Sequence, residues 1–184
     1  MNGLDFAGMV NRMIRAAMLD AQLYEEVEHD PSKDQEALMV VLFVALVNGI
    51  LSLPINLVLG RGLISSVGLL IFSIIWTIVA YYVYAYVAYW VGTNLFKGTA
   101  DVREVRRVLG YAYTPAIFSW VPCIGWIVGP IWMLVAGVIA LRQALDVDTT
   151  KAAITMLISV AIIIVVYFIL ASLLGLGGMG LRMT

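Results

Sequence analysis

The chain has 184 residues, of which 62% are hydrophobic and only 12% charged, with a net charge of −1 and a mean hydropathy of +0.98. A soluble domain averages about 25% charged residues, so this composition excludes a water-soluble globule and points to an integral membrane protein. The near-zero net charge excludes a general nucleic-acid binder. The single cysteine, Cys123, excludes an internal disulfide and a multi-cysteine metal site.

The first twenty residues lack an apolar core followed by a small-residue cleavage site. The first apolar run is therefore expected to act as an uncleaved anchor. Near the start, Phe6, Met9, Val10, Met13 and Ala17 share one helical face, with Gly8, Asn11, Arg12 and Arg15 opposite. The pattern predicts an amphipathic helix. It either lies on the membrane with its arginines at the headgroups or packs on the protein's own spans.

The stretch Leu23–Ala37 then carries six of the twelve acidic residues, Glu25, Glu26, Glu28, Asp30, Asp34 and Glu36, together with His29, the only histidine. Asp30 before Pro31, or Ser32 with Gln35, offers a cap for the helix that follows.

Four uncharged runs follow. Ala37–Gly60 reads as one span. Gly62–Phe96 is longer than the ~20 residues a bilayer core requires, so this helix is expected to tilt or to project beyond the membrane. Val108–Leu141 suits two short spans, or a re-entrant hairpin, turning at the Pro-Cys-Ile-Gly-Trp stretch (Pro122–Trp126). Ala152–Leu181 is the last, with a loose glycine-rich tail. With a cytoplasmic N-terminus, nine of the eleven basic residues fall inside and only Arg61 and Arg182 outside, a strong positive-inside bias. Two spans and a hairpin score alike, because both return to the cytoplasm.

Between the second and third runs, Asp101 and Glu104 form a capping pair at a helix start. Val102, Val105, Val108 and Leu109 make its apolar face, while Arg103, Arg106 and Arg107 are expected at the headgroups. Pro115 and Pro122 kink and end the helix. This segment, LFKGTADVREVRRVLGYAYTPAIFSWVP, resembles the signature of the Yip family, the Ypt/Rab-interacting membrane proteins. There a glycine-containing loop and a short amphipathic stretch lead into a Gly-Tyr pair with a proline a few residues on. Gly110, Tyr111 and Pro115 stand at those positions. The stretch Tyr24–Ile50 also resembles the approach to the first span in prokaryotic members, and the likeness covers roughly Leu23–Leu174.

The resemblance implies five spans, a cytoplasmic N-terminus and a C-terminus across the membrane. Eukaryotic members act in ER–Golgi traffic and bind prenylated Rab-type GTPases. They carry an Asp-Leu-Tyr-Gly-Pro-like motif that is absent here, so the resemblance implies a prokaryotic-type member, for which the family supplies no settled biochemical role.

Several residue sets are candidates for function. On a helix, Glu25, Glu28 and His29 share a face, and Glu26 with His29 makes a Glu-x-x-His pair. Di-metal bundles use that spacing because carboxylate and imidazole then converge on one ion. Two copies meeting across a homodimer axis could complete a divalent-metal site. The plainer reading is a docking surface for a basic partner, or for the chain's own Arg103, Arg106 and Arg107. Those arginines are either topology anchors or contacts to anionic lipid.

Tyr82, Tyr86 and Tyr89 share a face with Thr93. They form an interfacial belt or a vestibule for a polar solute. Asn48, Ser52 and Asn56 recur on one face of the first span, as inter-helix hydrogen bonders or as a polar stripe along a conduit loosened by Pro54. No ionisable residue lies within the cores of the runs, which argues against a proton-coupled pump. Gly125 and Gly129 permit close helix approach or simply shape a turn. No nucleophile–base pair assembles.

The expected fold is therefore all-α: a polytopic membrane bundle of five spans, the third and fourth short, with an amphipathic N-terminal helix. Residues 1–36 form a cytoplasmic acidic head and 37–184 the membrane domain. The expected function is non-enzymatic: membrane organisation or partner binding through the cytoplasmic face, in the cell membrane, with homo-oligomers plausible for so small a bundle. The alternative is a small-solute or divalent-metal transporter fed by the acidic head. No cofactor other than such a metal is implied.

Overall fold

The computed structural model describes residues 5–121 and 124–173. Those residues form seven α-helices and one 3-10 helix: α1 (Phe6–Ala17), α2 (Ala21–Glu28), α3 (Lys33–Val58), α4 (Leu63–Phe96), α5 (Val102–Ala112), the 3-10 segment Thr114–Trp120, α6 (Gly125–Ala144) and α7 (Thr149–Leu173). Four of them, α3, α4, α6 and α7, are long and apolar enough to cross a membrane. Pro122 and Cys123 of the expected turn, and the glycine-rich tail, lie outside the described residues.

The core is concentrated at one end. Leu23, Tyr24 and Val27 of α2 are buried against Val105 and Val108 of α5 and Ala140, Leu141 and Ala144 of α6, in one cluster that also takes in Met9, Met13 and Ala16 of α1. The acidic head and the upper bundle thus share a single core. Each large apolar side chain buried there contributes about 1.5–3 kcal/mol. Away from this core, large apolar side chains such as Ile71, Ile75, Val165 and Ile169 are exposed. In water such a surface would aggregate; in a bilayer it is the lipid-facing surface.

The 34 residues of α4 rise about 51 Å, well over the ~30 Å hydrocarbon core. The excess is used inside the molecule, since Ala85, Ala88 and Val91 near its end are buried. The far end of the second long run is therefore packed inside the protein.

Val108–Leu141 is broken as its prolines require. α5 ends at Ala112, and Pro115 sits in the first turn of the 3-10 segment. The chain then turns back into α6. Gly125 and Gly129 meet that 3-10 segment: a Cβ on Gly125 would lie 2.5 Å from the Phe118 carbonyl oxygen, and one on Gly129 would lie 2.7 Å from the Ser119 nitrogen. Phe118 stacks on Trp132 at 5.0 Å. The glycines thus serve close approach between the 3-10 segment and α6.

Helix starts follow the sequence in part. Asp101 and Glu104 form the expected capping box on α5. At α3 neither expected cap is made. The helix begins at Lys33 without a side-chain bond from Ser32, and Asp30 instead accepts the Ser32 N–H at 2.9 Å in the preceding turn.

Candidate functional site: the ion-paired head

The turn at His29–Ser32 folds α2 back beside α5, and this brings the acidic stretch over the basic one. Arg107 sits at the centre. Its side chain is buried, and its guanidinium donates to the Val27 carbonyl at 2.9 Å, to the Glu28 carbonyl and to Asp34 Oδ1 at 3.0 Å. It closes the carbonyl end of α2, where the helix dipole favours a cation and the last carbonyls lack helical partners. The sequence set Arg107 either at the headgroups or against the acidic stretch, and here it is paired with Asp34 of that stretch. A planar fork with several donors satisfies two carbonyls and a carboxylate at once, so burial is tolerated. Arg106 also reaches Asp34, at 3.3 Å, and lies over the Tyr82 ring at 5.5 Å. Arg103 is exposed and makes no ion pair among the described residues.

A second knot joins α1, α3 and α5. Glu36, nearly buried, receives Arg12 Nε at 2.5 Å, Tyr111 Oη at 2.6 Å and Lys33 Nζ at 3.3 Å. Gly110 makes this possible. A Cβ there would lie 2.8 Å from both the Cβ and the carbonyl oxygen of Ala37, so only glycine lets α5 approach α3 closely enough for the next residue, Tyr111, to reach Glu36. The Gly-Tyr pair is therefore a single packing device. Gly98 plays a like part in the preceding loop. A Cβ there would come within 2.7 Å of the Leu145 carbonyl oxygen, which accepts the Thr99 N–H at 3.1 Å.

A third knot holds α1 to α2. Arg15 grips Glu26 with both terminal nitrogens at 2.7 and 2.9 Å and Asp20 at 2.7 Å. This contact holds the Glu26 carboxyl below the usual carboxylate range. Glu25 accepts from Gln143 at 3.2 Å. His29 is fully exposed, with Nδ1 3.0 Å from the Glu25 carbonyl oxygen. That bond, with the Glu28 carboxyl nearby, raises its pKa above the ordinary value.

Glu28 differs from the other acids. It is 4% exposed, and its Oε2 has no hydrogen-bond partner. Burial pushes its pKa up to about 7, helped by Glu25, Asp146 and Glu104 and opposed by His29.

The set Glu25, Glu26, Glu28 and His29 therefore does not gather round one point. Arg15 takes Glu26, Gln143 takes Glu25, Glu28 turns inward and His29 outward. Among the described residues, no group of three or more His, Cys, Asp or Glu side chains is placed to hold a metal ion. Asn48, Ser52 and Asn56 also part company. Asn48 Nδ2 donates to the Ala116 carbonyl across helices at 3.5 Å, Ser52 to the Gly49 carbonyl of its own helix, and Asn56 Oδ1 accepts from Arg61. No shared polar path joins them.

α1 packs on the protein through part of its expected apolar face. Met9, Met13 and Ala17 are buried on the protein itself, whereas Phe6, Val10, Ile14 and Met18, four residues apart, form an exposed apolar stripe. The sequence reading missed Ile14 and Met18, although their spacing of four from Val10 is the signal that finds them.

Comparison with known proteins agrees with the motif just explained. A family model described as the Yip1 domain matches residues 21–173. The chain belongs to the Yip1 family. No curated protein and no solved structure matches it. The Yip1 match and the apolar helices make this a membrane protein. The match spans the Arg107 clamp, the Glu36–Tyr111 contact and the contact of the 3-10 segment with α6, while α1 precedes it.

Proposed function

We propose that this Yip1-family chain is a non-enzymatic membrane-organising protein that meets the bilayer surface, and partners at it, through its head. The observation that carries the reading is the α1 stripe. Phe6 is 60%, Ile14 54% and Met18 74% exposed, on a helix whose arginines are turned inward to Glu36, Asp20 and Glu26. A helix held in place by ion pairs, with apolar side chains facing out, suits insertion into one leaflet beside the bundle.

The head faces the cytoplasm, supported by the positive-inside count, and the C-terminus lies across the cell membrane. Five segments enter the bilayer, with α5, its 3-10 continuation and α6 forming a re-entrant hairpin. Asn48, the contact of Ala116, lies only about 18 Å along α3 from Glu36 at the helical rise, which supports a hairpin that dips part-way and returns.

The test places a spin label at Ile14→Cys, with Cys123→Ser, in nanodiscs. Collision with oxygen exceeding that with a polar nickel chelate is expected. The reverse would refute insertion. Reproducible solute or metal flux into proteoliposomes, lost in Asn48→Leu, would overturn the non-transport reading.

A further inference from the structure

The tyrosine-rich part of α4 faces two ways. Tyr82 and Tyr86 are exposed, but Tyr81 and Tyr84 line a cavity of about 260 Å³ together with Trp76, Leu109, Met133 and Met156. The expected vestibule for a polar solute would lie on the Tyr82 face. The cavity is on the other, and its lining is almost wholly apolar.

It exists because α4 packs on α3, α5 and α7, and α6 on α5 and α7, whereas α4 and α6 hardly touch. The gap between them is closed above by Leu109 and Ala112 of α5 and behind by Met156 and Val160 of α7. A void of this kind forfeits dispersion contacts along its whole lining, and an apolar lining gives water too few partners to fill it. Ligand sites for drug-sized solutes run to about 300–1,000 Å³; this cavity is smaller, and long. It follows α4 from Trp76 to Tyr84, about 12 Å at the helical rise. A narrow apolar slot of that length takes part of one hydrocarbon chain, and at this depth of the spans the molecules with access are lipids.

The cavity lining carries no charge, but basic residues of α5 stand beside its Leu109 end, on the Tyr82 side of α4. Leu109 lies one turn beyond Arg106, the Tyr81 hydroxyl donates to the Arg106 carbonyl at 2.8 Å, and the Arg106 guanidinium rests over Tyr82 at 5.5 Å with a quarter of its side chain accessible. Exposed Arg103 is one turn further. Arg107 takes no part, being buried on α2.

We propose that the α4–α6 cavity holds one acyl chain of an anionic phospholipid whose phosphate meets Arg106 and Arg103. The bound lipid fills the gap between α4 and α6 and ties the head to the leaflet in which it sits. The site is independent of the α1 stripe, so either reading can fail alone.

The experiment reconstitutes the full chain with phosphatidylglycerol carrying a diazirine on one acyl chain, and maps the cross-links by mass spectrometry. Cross-links are expected on the peptides carrying Trp76 and Met156. They should fall at least threefold in Ala80→Phe and in Ala112→Ile, which fill the cavity from two sides, and stay unchanged in Gly68→Phe, whose glycine has open space around it. Far-ultraviolet circular dichroism and a monodisperse elution profile certify each variant. Should one cavity variant fail to fold, the other decides.

Arg106→Gln with Arg103→Gln should bring phosphatidylglycerol labelling of the cavity down to that of a phosphatidylcholine probe. Labelling spread over the lipid-facing residues, and insensitive to both cavity variants, would overturn the site. Equal cavity labelling by the two probes in the wild type would overturn the anionic assignment.

Discussion

Replacing Arg107 by methionine keeps much of the side-chain volume and removes every donor. Three acceptors then lose this donor: the Val27 carbonyl, which keeps the Asp30 N–H, the buried Glu28 carbonyl and the part-buried Asp34 Oδ1. Hydrogen bonds from a charged group are worth about 1.5–3 kcal/mol each, but the three share one guanidinium and do not add. Breaking a buried ion pair by removing one partner costs about 3–5 kcal/mol. Asp34 keeps Arg106 at 3.3 Å, which softens the loss, so about 3 kcal/mol is the expected destabilisation.

The damage should be local first. Amides of α2 near its carbonyl end should lose hydrogen-exchange protection before those of α3 or α7, because α2 is the element that the clamp closes. The assay is hydrogen exchange with thermal unfolding in nanodiscs, on wild type, Arg107→Met, Asp34→Asn and the double variant. The double variant should be less destabilised than the sum of the singles, by at least about 1 kcal/mol, as for groups in one network. A loss below about 1 kcal/mol, with unchanged α2 exchange and additive singles, would refute the clamp.

Three further outcomes are expected. Gly110→Ala should cost about 1–3 kcal/mol by overpacking against Ala37 and should also weaken the Tyr111–Glu36 contact; an unchanged melting temperature would exclude the close-approach account. Glu28→Gln should raise stability at alkaline pH and matter little at acid pH. The folded-state pKa of about 7 lies above the ordinary 4.5, so the protonated form suits the fold. The penalty is absent below about pH 4.5, grows through the interval and is complete above about pH 7, reaching at most about 3 kcal/mol at 1.36 kcal/mol per pKa unit. Melting temperatures of the two proteins between pH 4.5 and 8.5 check the sign, and parallel curves would sink it. Gly129→Leu should drive the 3-10 segment from α6 and cost about 2 kcal/mol or more, seen as a lower melting temperature in nanodiscs; an unchanged one would refute the close approach.

The sequence by itself determined the membrane class, the helical content and the break in Val108–Leu141. These depend on local composition: an apolar run must hide its backbone polar groups in a helix, and Pro115 cannot continue one. The capping box at Asp101 was legible for the same reason, since both partners lie within a single turn. So was the Gly-Tyr-Pro signature, as a pattern of residues. Its physical content was not legible, because Ala37 and Glu36, which explain Gly110 and Tyr111, stand over seventy positions away.

The partners of the charges were likewise a tertiary decision. A periodicity places Arg103, Arg106 and Arg107 side by side on one helix. Only the turn after α2, which sets an open carbonyl end against α5, separates the buried clamp Arg107 from exposed Arg103. The same turn gives Glu26 to Arg15 and leaves the Glu28 carboxyl inward and without a hydrogen bond on Oε2, dispersing a spacing that suggested metal. The cavity was invisible to pattern altogether. It arises because α4 and α6 hardly touch, and the separation of two helices that are distant in the chain is set by what packs between them, which no local periodicity encodes.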